Sequence, residues 1–335
     1  MEEASREILR IKNLSVDFKS ESGHIHAVRN VNLFVEQGKT LGVVGESGCG
    51  KSVTVRSVLW LHNVKETAVK GEILFTKRSG EQVNIANMSL SELQQIRGNE
   101  ISMIFQDPMT SLNPVIKVGI QVAEAIERHQ HLSRREAKER TIELFKMVGI
   151  RSAERRFGQY PHEFSGGMQQ RIMIAMALAC NPSLLLADEP TTALDVTIQA
   201  QILKSMKELQ KKTGMAIIFI THNLGVVAHM CDEVAVMYAG QVVEYAATRE
   251  LFANPLHPYT QGLLKTIPKL GMERTRLEII EGMPPKLSEE IRGCAFAPRC
   301  RKCMDRCLKE IPQARVSKDA GRMIRCHAAD RKSVV

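Results

Sequence analysis

Three short stretches of this 335-residue chain carry residue types and spacings suited to a polyphosphate. The first, "GESGCGKS" at Gly45–Ser52, has the spacing G-x-x-x-x-G-K-[ST]. Gly45, Gly48 and Gly50 let successive backbone N–H groups, with Ser47 among the loop positions, face one concavity. A following helix presents its positive end to the phosphates. Lys51 supplies a cation for the β- and γ-phosphates, and the Ser52 hydroxyl can ligate Mg²⁺. The second stretch is "LLLADEP". An apolar strand ending in an acid delivers Asp188 to the metal side, and Glu189 follows where it could polarise an attacking water as general base. Adjacent carboxylates after a wholly apolar run are costly unless a cation or water uses them. The third, "FSGGMQQR", puts Ser165, Gly166 and Gly167 directly before a helix, a second N-terminus suited to phosphate. One nucleotide cannot easily use both the first and third stretches, so the economical arrangement is a head-to-tail pair of domains, each serving the other's nucleotide.

A separate cluster lies late in the chain. Five of the eight cysteines fall between Cys294 and Cys326, in "GCAFAPRCRKCMDRC" and beyond. In a reducing compartment such a cluster reads as metal or cluster ligands before disulfides. Cys49, Cys180 and Cys231 read instead as small buried fillers.

The elements that must position these groups follow from periodicity. Residues 1–50 read mainly as strands in short alternating runs. "KTLGVVGESGCGKSVTV" is a strand, a glycine turn and a helix start. From about Ser91 to Ser165 the pattern is helical, as in "VGIQVAEAIERHQ" and "SRREAKERTIELFKMVGI". A helix over "MQQRIMIAMALA", the strand "SLLLADEP", a helix near Thr197–Lys212 and the strand "MAIIFITHN" then alternate, which argues for a layered α/β domain. Past about residue 254 the chain is proline-rich and loses periodicity. The organisation expected is a nucleotide-binding domain over 1–255, with a helical subdomain at about 91–170, and a small loop-rich extension over 256–335.

Composition bounds the rest. A hydrophobic fraction of 44% with 25% charged residues fits a packed globular protein rather than a disordered one. No apolar run is long enough to span a membrane, and the acidic start "MEEASREILR" lacks the apolar core of a signal peptide, so a cytosolic location is expected. The net charge of +9 suits nucleotides, nucleic acid or an anionic membrane face. Aromatics at 4% argue against a stacking surface for single strands.

With the first three motifs in order, the chain resembles the nucleotide-binding subunit of an ABC transporter over essentially its whole length. That resemblance implies an α/β P-loop ABC ATPase domain, with a RecA-like core, an antiparallel β subdomain and an inserted helical subdomain. It implies that Gln106, in "IFQDPMTSLNP", senses Mg²⁺ and the attacking water and couples to membrane subunits. "TALD", Thr192 to Asp195, would cross the dimer seam, and His222 in "FITHNL" would contact the γ-phosphate. Phe18 is either the aromatic that stacks on adenine or a core strand residue. Met168 stands where the signature usually has glutamine, a mark of the dipeptide and oligopeptide permease branch. "FQDPMTSLNP" and "NPLHPYTQGLL" resemble the same branch, which also contains nickel importers.

The resemblance further implies ATP and Mg²⁺ as cofactors, with Ser52, Gln106 and Asp188 on the metal. It implies a second, paralogous ATPase subunit, two transmembrane permease subunits and an external binding protein, and a peripheral place on the cytoplasmic face of the inner (plasma) membrane. The branch carries a GC-x₅-C-x₆-C motif with a later fourth cysteine, which here is Cys294, Cys300, Cys307 and Cys326. In some members the four hold a [4Fe–4S] cluster. Structural zinc and free thiols are the alternatives, and Cys303 could substitute for a neighbour. Import of di- or oligopeptides is the expected role, with nickel chelates as the alternative cargo. A soluble ABC ATPase acting on nucleic acid would carry coiled-coil insertions or two ATPase halves, and this chain has neither. A non-hydrolysing relative would have lost Ser165, Glu189 or His222, and all three are present.

Overall fold

The computed structural model describes residues 6–20, 23–63, 65–107, 111–191, 194–266, 280–317 and 321–329. The strands, in chain order, are β1 Glu7–Ser20, β2 Gly23–Glu36, β3 Thr40–Val44, β4 Thr67–Thr76, β5 Gln82–Asn84, β6 Ile101–Ile104, β7 Leu184–Asp188, β8 Ala216–Ile220, β9 Glu233–Tyr238, β10 Gln241–Ala247, β11 Arg315–Val316 and β12 Met323–Ile324. The chain divides into two compact units. The first is Met1–Leu9, Val35–Thr40 and Leu74–Ile220, and the second is Arg10–Phe34, Leu41–Ile73 and Thr221–Val335.

The first unit is built on parallel strands. β6 pairs with β7 (Ile101↔Leu184 to Ile104↔Ala187), and β7 pairs with β8 (Leu184↔Ala216 to Asp188↔Ile220). Every residue of "ISMI", "LLLAD" and "AIIFI" is buried. Strands covered on both faces take continuous apolar runs rather than alternating ones. β6 lies inside the stretch whose pattern reads as helical. Four residues are too few to register a period, so the flanking helices dominate the reading there.

The helices around that region are amphipathic in the way the sequence implies. Val118–Gln130 buries Val118, Val122, Ala123 and Ile126. Gly119 is needed on that face, since a Cβ there would lie 2.3 Å from the Phe157 ring. Arg134–Met147 starts at a capping box, with the Ser133 hydroxyl accepting from the Glu136 N–H and the Glu136 carboxylate accepting from the Ser133 N–H. Gly166–Leu178 buries most of its circumference, including Ile172, Met173, Ile174, Ala177 and Leu178.

In the second unit β3 runs parallel to β9, and β9 is antiparallel to β10. β2, β1 and β4 are neighbours in another sheet. The residues after 255 do more than form loops. After the helix Pro258–Lys265, β12 adds antiparallel to β10 (Glu244↔Ile324, Tyr245↔Met323), and β11 pairs with β12. Ile324, Cys326 and Ala329 form a small core against Leu256. A buried charge anchors this segment. The Glu244 carboxylate on β10, 0% exposed, accepts from Leu256 N (2.9 Å), His257 N (2.8 Å) and Arg322 Nη2 (2.7 Å). Arg322 also donates to the Asn254 carbonyl.

Candidate functional site

In the second unit the loop after β3 has the curvature that its glycines permit. Gly48 (φ +75°) and Gly50 (φ +99°) are left-handed. A Cβ on Gly45 would stand 2.2 Å from the Met237 carbonyl, and one on Gly50 would stand 2.4 Å from that of Ala27. Both positions therefore admit only glycine. Gly240 N donates to the Cys49 carbonyl (3.0 Å), closing the loop from the other side. Cys49 is 5% exposed and fills the loop's interior, and burial pushes its thiol above the usual range against the opposing pull of Lys51. Lys51 begins the helix Lys51–Val58, and its Nζ donates to the carbonyls of Gly45 and Glu46, each at 2.8 Å. Ser47 and Gly48 are exposed at the rim, and Ser52 is half-buried.

The loop is also gripped from the chain's later part. The Glu46 N–H donates to the Tyr259 hydroxyl (2.9 Å), and Arg299 makes a two-point ion pair with the Glu46 carboxylate (2.8 and 3.1 Å). Glu46 occupies a variable position of the motif, so sequence reasoning gives it no role. The one signal present is composition, a carboxylate inside an anion-binding loop.

Phe18 and His222 belong to this unit. Phe18 is half-buried on β1, with the His62 ring edge-on at 5.9 Å. His222 is exposed just before the helix Leu224–Met230, whose cap is the Asn223 side chain accepting from Gly225 N (3.0 Å) and Val226 N (3.3 Å).

The first unit carries the acidic groups. Asp188 ends β7 fully buried. Glu189 follows with φ +49°, a left-handed conformation that is uncommon for a non-glycine residue and is often found where a side chain is aimed for function. Its N–H donates to the Ile220 carbonyl at the end of β8 (3.0 Å), fixing the turn. The Gln106 Nε2 donates to Glu189 Oε2 at 3.3 Å, so these two expected site residues are brought together. Buried Gln170, from the helix Gly166–Leu178, donates to the Pro190 carbonyl (2.5 Å) and pins the residue after Glu189. Nothing in the sequence distinguishes Gln170 from its neighbour Gln169.

Ser165 and Gly166 are exposed at that helix's start, and Ser165 makes no side-chain cap. Asp195 caps the helix Val196–Thr213 through Ile198 N (2.9 Å). Thr192 and Ala193 of the "TALD" expectation lie outside the described residues. The oxygen donors expected for a divalent ion, namely the Ser52 hydroxyl, the Gln106 amide and the Asp188 carboxylate, are the hard set that Mg²⁺ takes.

Among the late cysteines, Cys307 and Cys326 are buried, Cys294 and Cys300 half-buried, and Cys303 exposed. Burial, with repulsion from Cys307, Cys326 and Cys300 adding to it, pushes Cys294 up to about 11. Burial likewise raises Cys300 and Cys326, each within electrostatic reach of Cys307. Cys294 N donates to the Cys307 carbonyl (2.7 Å), and a Cβ on Gly293 would stand 2.4 Å from that same oxygen. Among the described residues no group of three or more His, Cys, Asp or Glu side chains is arranged to hold a metal ion. The side-chain placement thus adds no support to either the iron–sulfur or the zinc expectation.

Comparison with known proteins covers the whole arrangement. The protein-family model described as ABC transporter matches residues 28–192, and the one described as oligopeptide/dipeptide transporter, C-terminal region, matches residues 243–307. The chain is 52% identical over 299 residues to the oligopeptide transport ATP-binding protein OppD of Bacillus subtilis, covering 89% of this chain and 82% of that protein. It is 46% identical over 329 residues to the dipeptide transport ATP-binding protein DppD of the same organism, covering 97% and 96%. Among solved structures it is similar to a dimeric post-hydrolysis state of the ATP-binding cassette MJ0796 bound to ADP and Pi. The TM-score there is 0.65 at 28% identity, covering 72% of this chain and 99% of that one.

Proposed function

Because the chain belongs to the ABC transporter family, in its oligopeptide and dipeptide branch, we propose that it is the ATP-hydrolysing subunit energising import of di- and oligopeptides. The observation that carries the catalytic part is the pair Gln106–Glu189, held at 3.3 Å on a left-handed turn that is strapped to β8 and pinned by Gln170.

The phosphates of ATP lie in the Gly45–Ser52 loop, along the backbone of Gly45, Ser47, Gly48 and Gly50, and the Lys51 ammonium exchanges loop carbonyls for β- and γ-phosphate oxygens. Phe18 stacks on adenine, a role that suits a half-buried ring braced edge-on by His62. Ser52, Gln106 and Asp188 would hold Mg²⁺, which would supply positive charge against the triphosphate. Glu189 accepts the proton of the attacking water, Gln106 orients that water, and His222 contacts the γ-phosphate. Ser165, Gly166 and Gly167 are directed to the nucleotide of a second, paralogous subunit, with Asp195 at the seam. The exposure of Ser165 and Gly166, and the dimeric ADP-bound cassette among similar structures, support that pairing.

Two transmembrane permease subunits and an external binding protein complete the importer. This subunit lies on the cytoplasmic face of the membrane without crossing it, in keeping with the finding that no described helix is long and apolar enough to span one. For Cys294, Cys300, Cys307 and Cys326 the reading carried by the family resemblance is a structural [4Fe–4S] cluster. Iron, sulfide and zinc analysis of anaerobically purified protein tests it, and zinc without iron or thiols without metal rejects it.

The central test is Glu189→Gln. It is expected to bind ATP while turnover falls by about 10²-fold or more, in line with the loss of a general base. Cells carrying only this variant are expected to stop taking up a labelled dipeptide. Near-normal hydrolysis would remove Glu189 from the base role, and loss of nickel uptake with dipeptide uptake intact would reassign the cargo.

A further inference from the structure

Arg299 ends the short 3-10 helix Ala297–Arg299 between Cys294 and Cys300, and its side chain is only 5% exposed. A guanidinium has five N–H donors, and each has an acceptor here. Nε donates to the Glu281 carbonyl (3.0 Å), and Nη1 donates to Glu46 Oε2 (2.8 Å) and the Tyr238 hydroxyl (3.2 Å). Nη2 donates to Glu46 Oε1 (3.1 Å) and the Ile280 carbonyl (3.1 Å). The cation also lies 5.8 Å from the Tyr238 ring centre and 6.0 Å from that of Phe296. Tyr238, Tyr259 and Phe296 pack on one another with centroids 4.6 to 5.4 Å apart. Such a node is costly to order in a segment with little core of its own, and its target is the first variable residue of the phosphate loop.

The grip on Glu46 has three parts. Its carboxylate is held by Arg299, its N–H by the Tyr259 hydroxyl, and its carbonyl accepts from Lys51 (2.8 Å). On one side of it Gly45 lies so close to β9 that a Cβ there would stand 2.2 Å from the Met237 carbonyl, and Met237 is the residue before Tyr238 on that strand. Glu46 is therefore the point where the late segment, the strand end and the Lys51 ammonium meet.

We propose that Arg299 is a positioning residue for the nucleotide: through Glu46 it fixes the entry of the Gly45–Ser52 loop and the carbonyls that hold Lys51, so that phosphate binding and the ordering of residues 280–307 are coupled. Coupling of this kind is reciprocal. The bidentate fork sets the loop, and a nucleotide that fixes the loop must in turn steady the segment that carries the fork. The inference rests on ATP being the ligand of this loop.

The test uses the full-length chain, with ATPase kinetics and backbone hydrogen exchange on the same samples. Arg299→Met and Glu46→Gln are each expected to raise KM for ATP about tenfold, the size of one lost charge-assisted pair that is partly open to water, with kcat within about twofold. The double variant is expected to be no worse than either single one. Arg299→Lys, which keeps the charge but loses the fork, is expected to fall between. In the wild type, Mg-ADP is expected to slow exchange over 280–307, and in Glu46→Gln that slowing is expected to vanish. If Arg299→Met does not fold, Arg299→Lys and the wild-type exchange experiment decide. Unchanged KM with only a lower melting temperature would make Arg299 a mere staple and overturn the proposal, as would exchange over 280–307 that ignores nucleotide in the wild type. A wild-type chain that binds no ATP would overturn the ATP reading and this inference with it.

Discussion

Replacing Arg322 by methionine tests how the late segment is attached. Arg322 and Glu244 are both nearly dry, with side-chain exposures of 9% and 0%, and their ion pair measures 2.7 Å. The substitution keeps most of the side chain's length and removes its charge. Among the described residues the Glu244 carboxylate would then keep two neutral backbone donors, from Leu256 and His257. Two unit charges about 4 Å apart attract by about 4 kcal/mol at an effective dielectric of 20. Removing one partner of a buried pair typically costs about 3 to 5 kcal/mol. The two figures agree, so a loss of about 4 kcal/mol is expected. The assay is urea unfolding followed by circular dichroism, in which the midpoint should drop while the slope stays constant. The variant Glu244→Gln/Arg322→Met should recover a large part of the loss, because no charge is then left buried. A loss under about 1 kcal/mol, or a double variant as unstable as Arg322→Met, would refute the reasoning, since it would mean that water reaches Glu244 freely.

Other outcomes follow from single contacts. Gly45→Ala should cost about 1 to 3 kcal/mol of ATP-binding free energy, because the loop must distort to clear the Met237 carbonyl; equilibrium binding measures it. Gln170→Leu should lower kcat about tenfold with KM little changed, because the backbone after Glu189 loses its pin; steady-state kinetics would show the split. Burial holds His257 neutral, at about 4 against a usual 6.5. The unfolded chain thus takes up a proton at a pH where the folded chain does not. Stability is full above about pH 6.5 and is lost as pH falls toward 4, by up to about 3 kcal/mol. His257→Asn keeps an acceptor for Tyr259 N and should flatten that acid limb in urea titrations.

What was legible in the sequence was whatever local spacing encodes. Gly45–Ser52 announces a phosphate loop because the chemistry demands those residues in a row, and β7 and β8 are unbroken apolar runs. Glu189 and Ser165 are legible locally, from an apolar run ending in two carboxylates and from a Ser-Gly-Gly start to a helix, whereas Gln106 is legible only through the family resemblance; the structure joins Gln106 to Glu189. β6 was hidden because its four residues carry no period. The polar contacts that tie the late residues down were hidden for another reason. Glu46 and Arg299 stand 253 positions apart, and Glu244 and Arg322 stand 78 apart. Pairings at such distances leave no periodic trace, and each partner alone reads as an ordinary surface charge. The cysteines stand out by their clustering, while Arg299, which lies between two of them and reaches the phosphate loop, does not.

The pairing of β12 with β10 bears on how this protein can be shortened. β10 holds Val242, Val243, Tyr245 and Ala246 in the interior, and its outer side is met by Met323 and Ile324, with Arg325 N bonded to the Val243 carbonyl (2.9 Å). A chain cut at residue 255 would strip that side. It would leave an apolar strand with open N–H and C=O groups, the kind of edge on which further copies add one after another. The strands Arg315–Val316 and Met323–Ile324 therefore act as a cover against self-association, and a version cut at residue 255 is expected to be lost to insoluble aggregates before its catalytic competence can be measured.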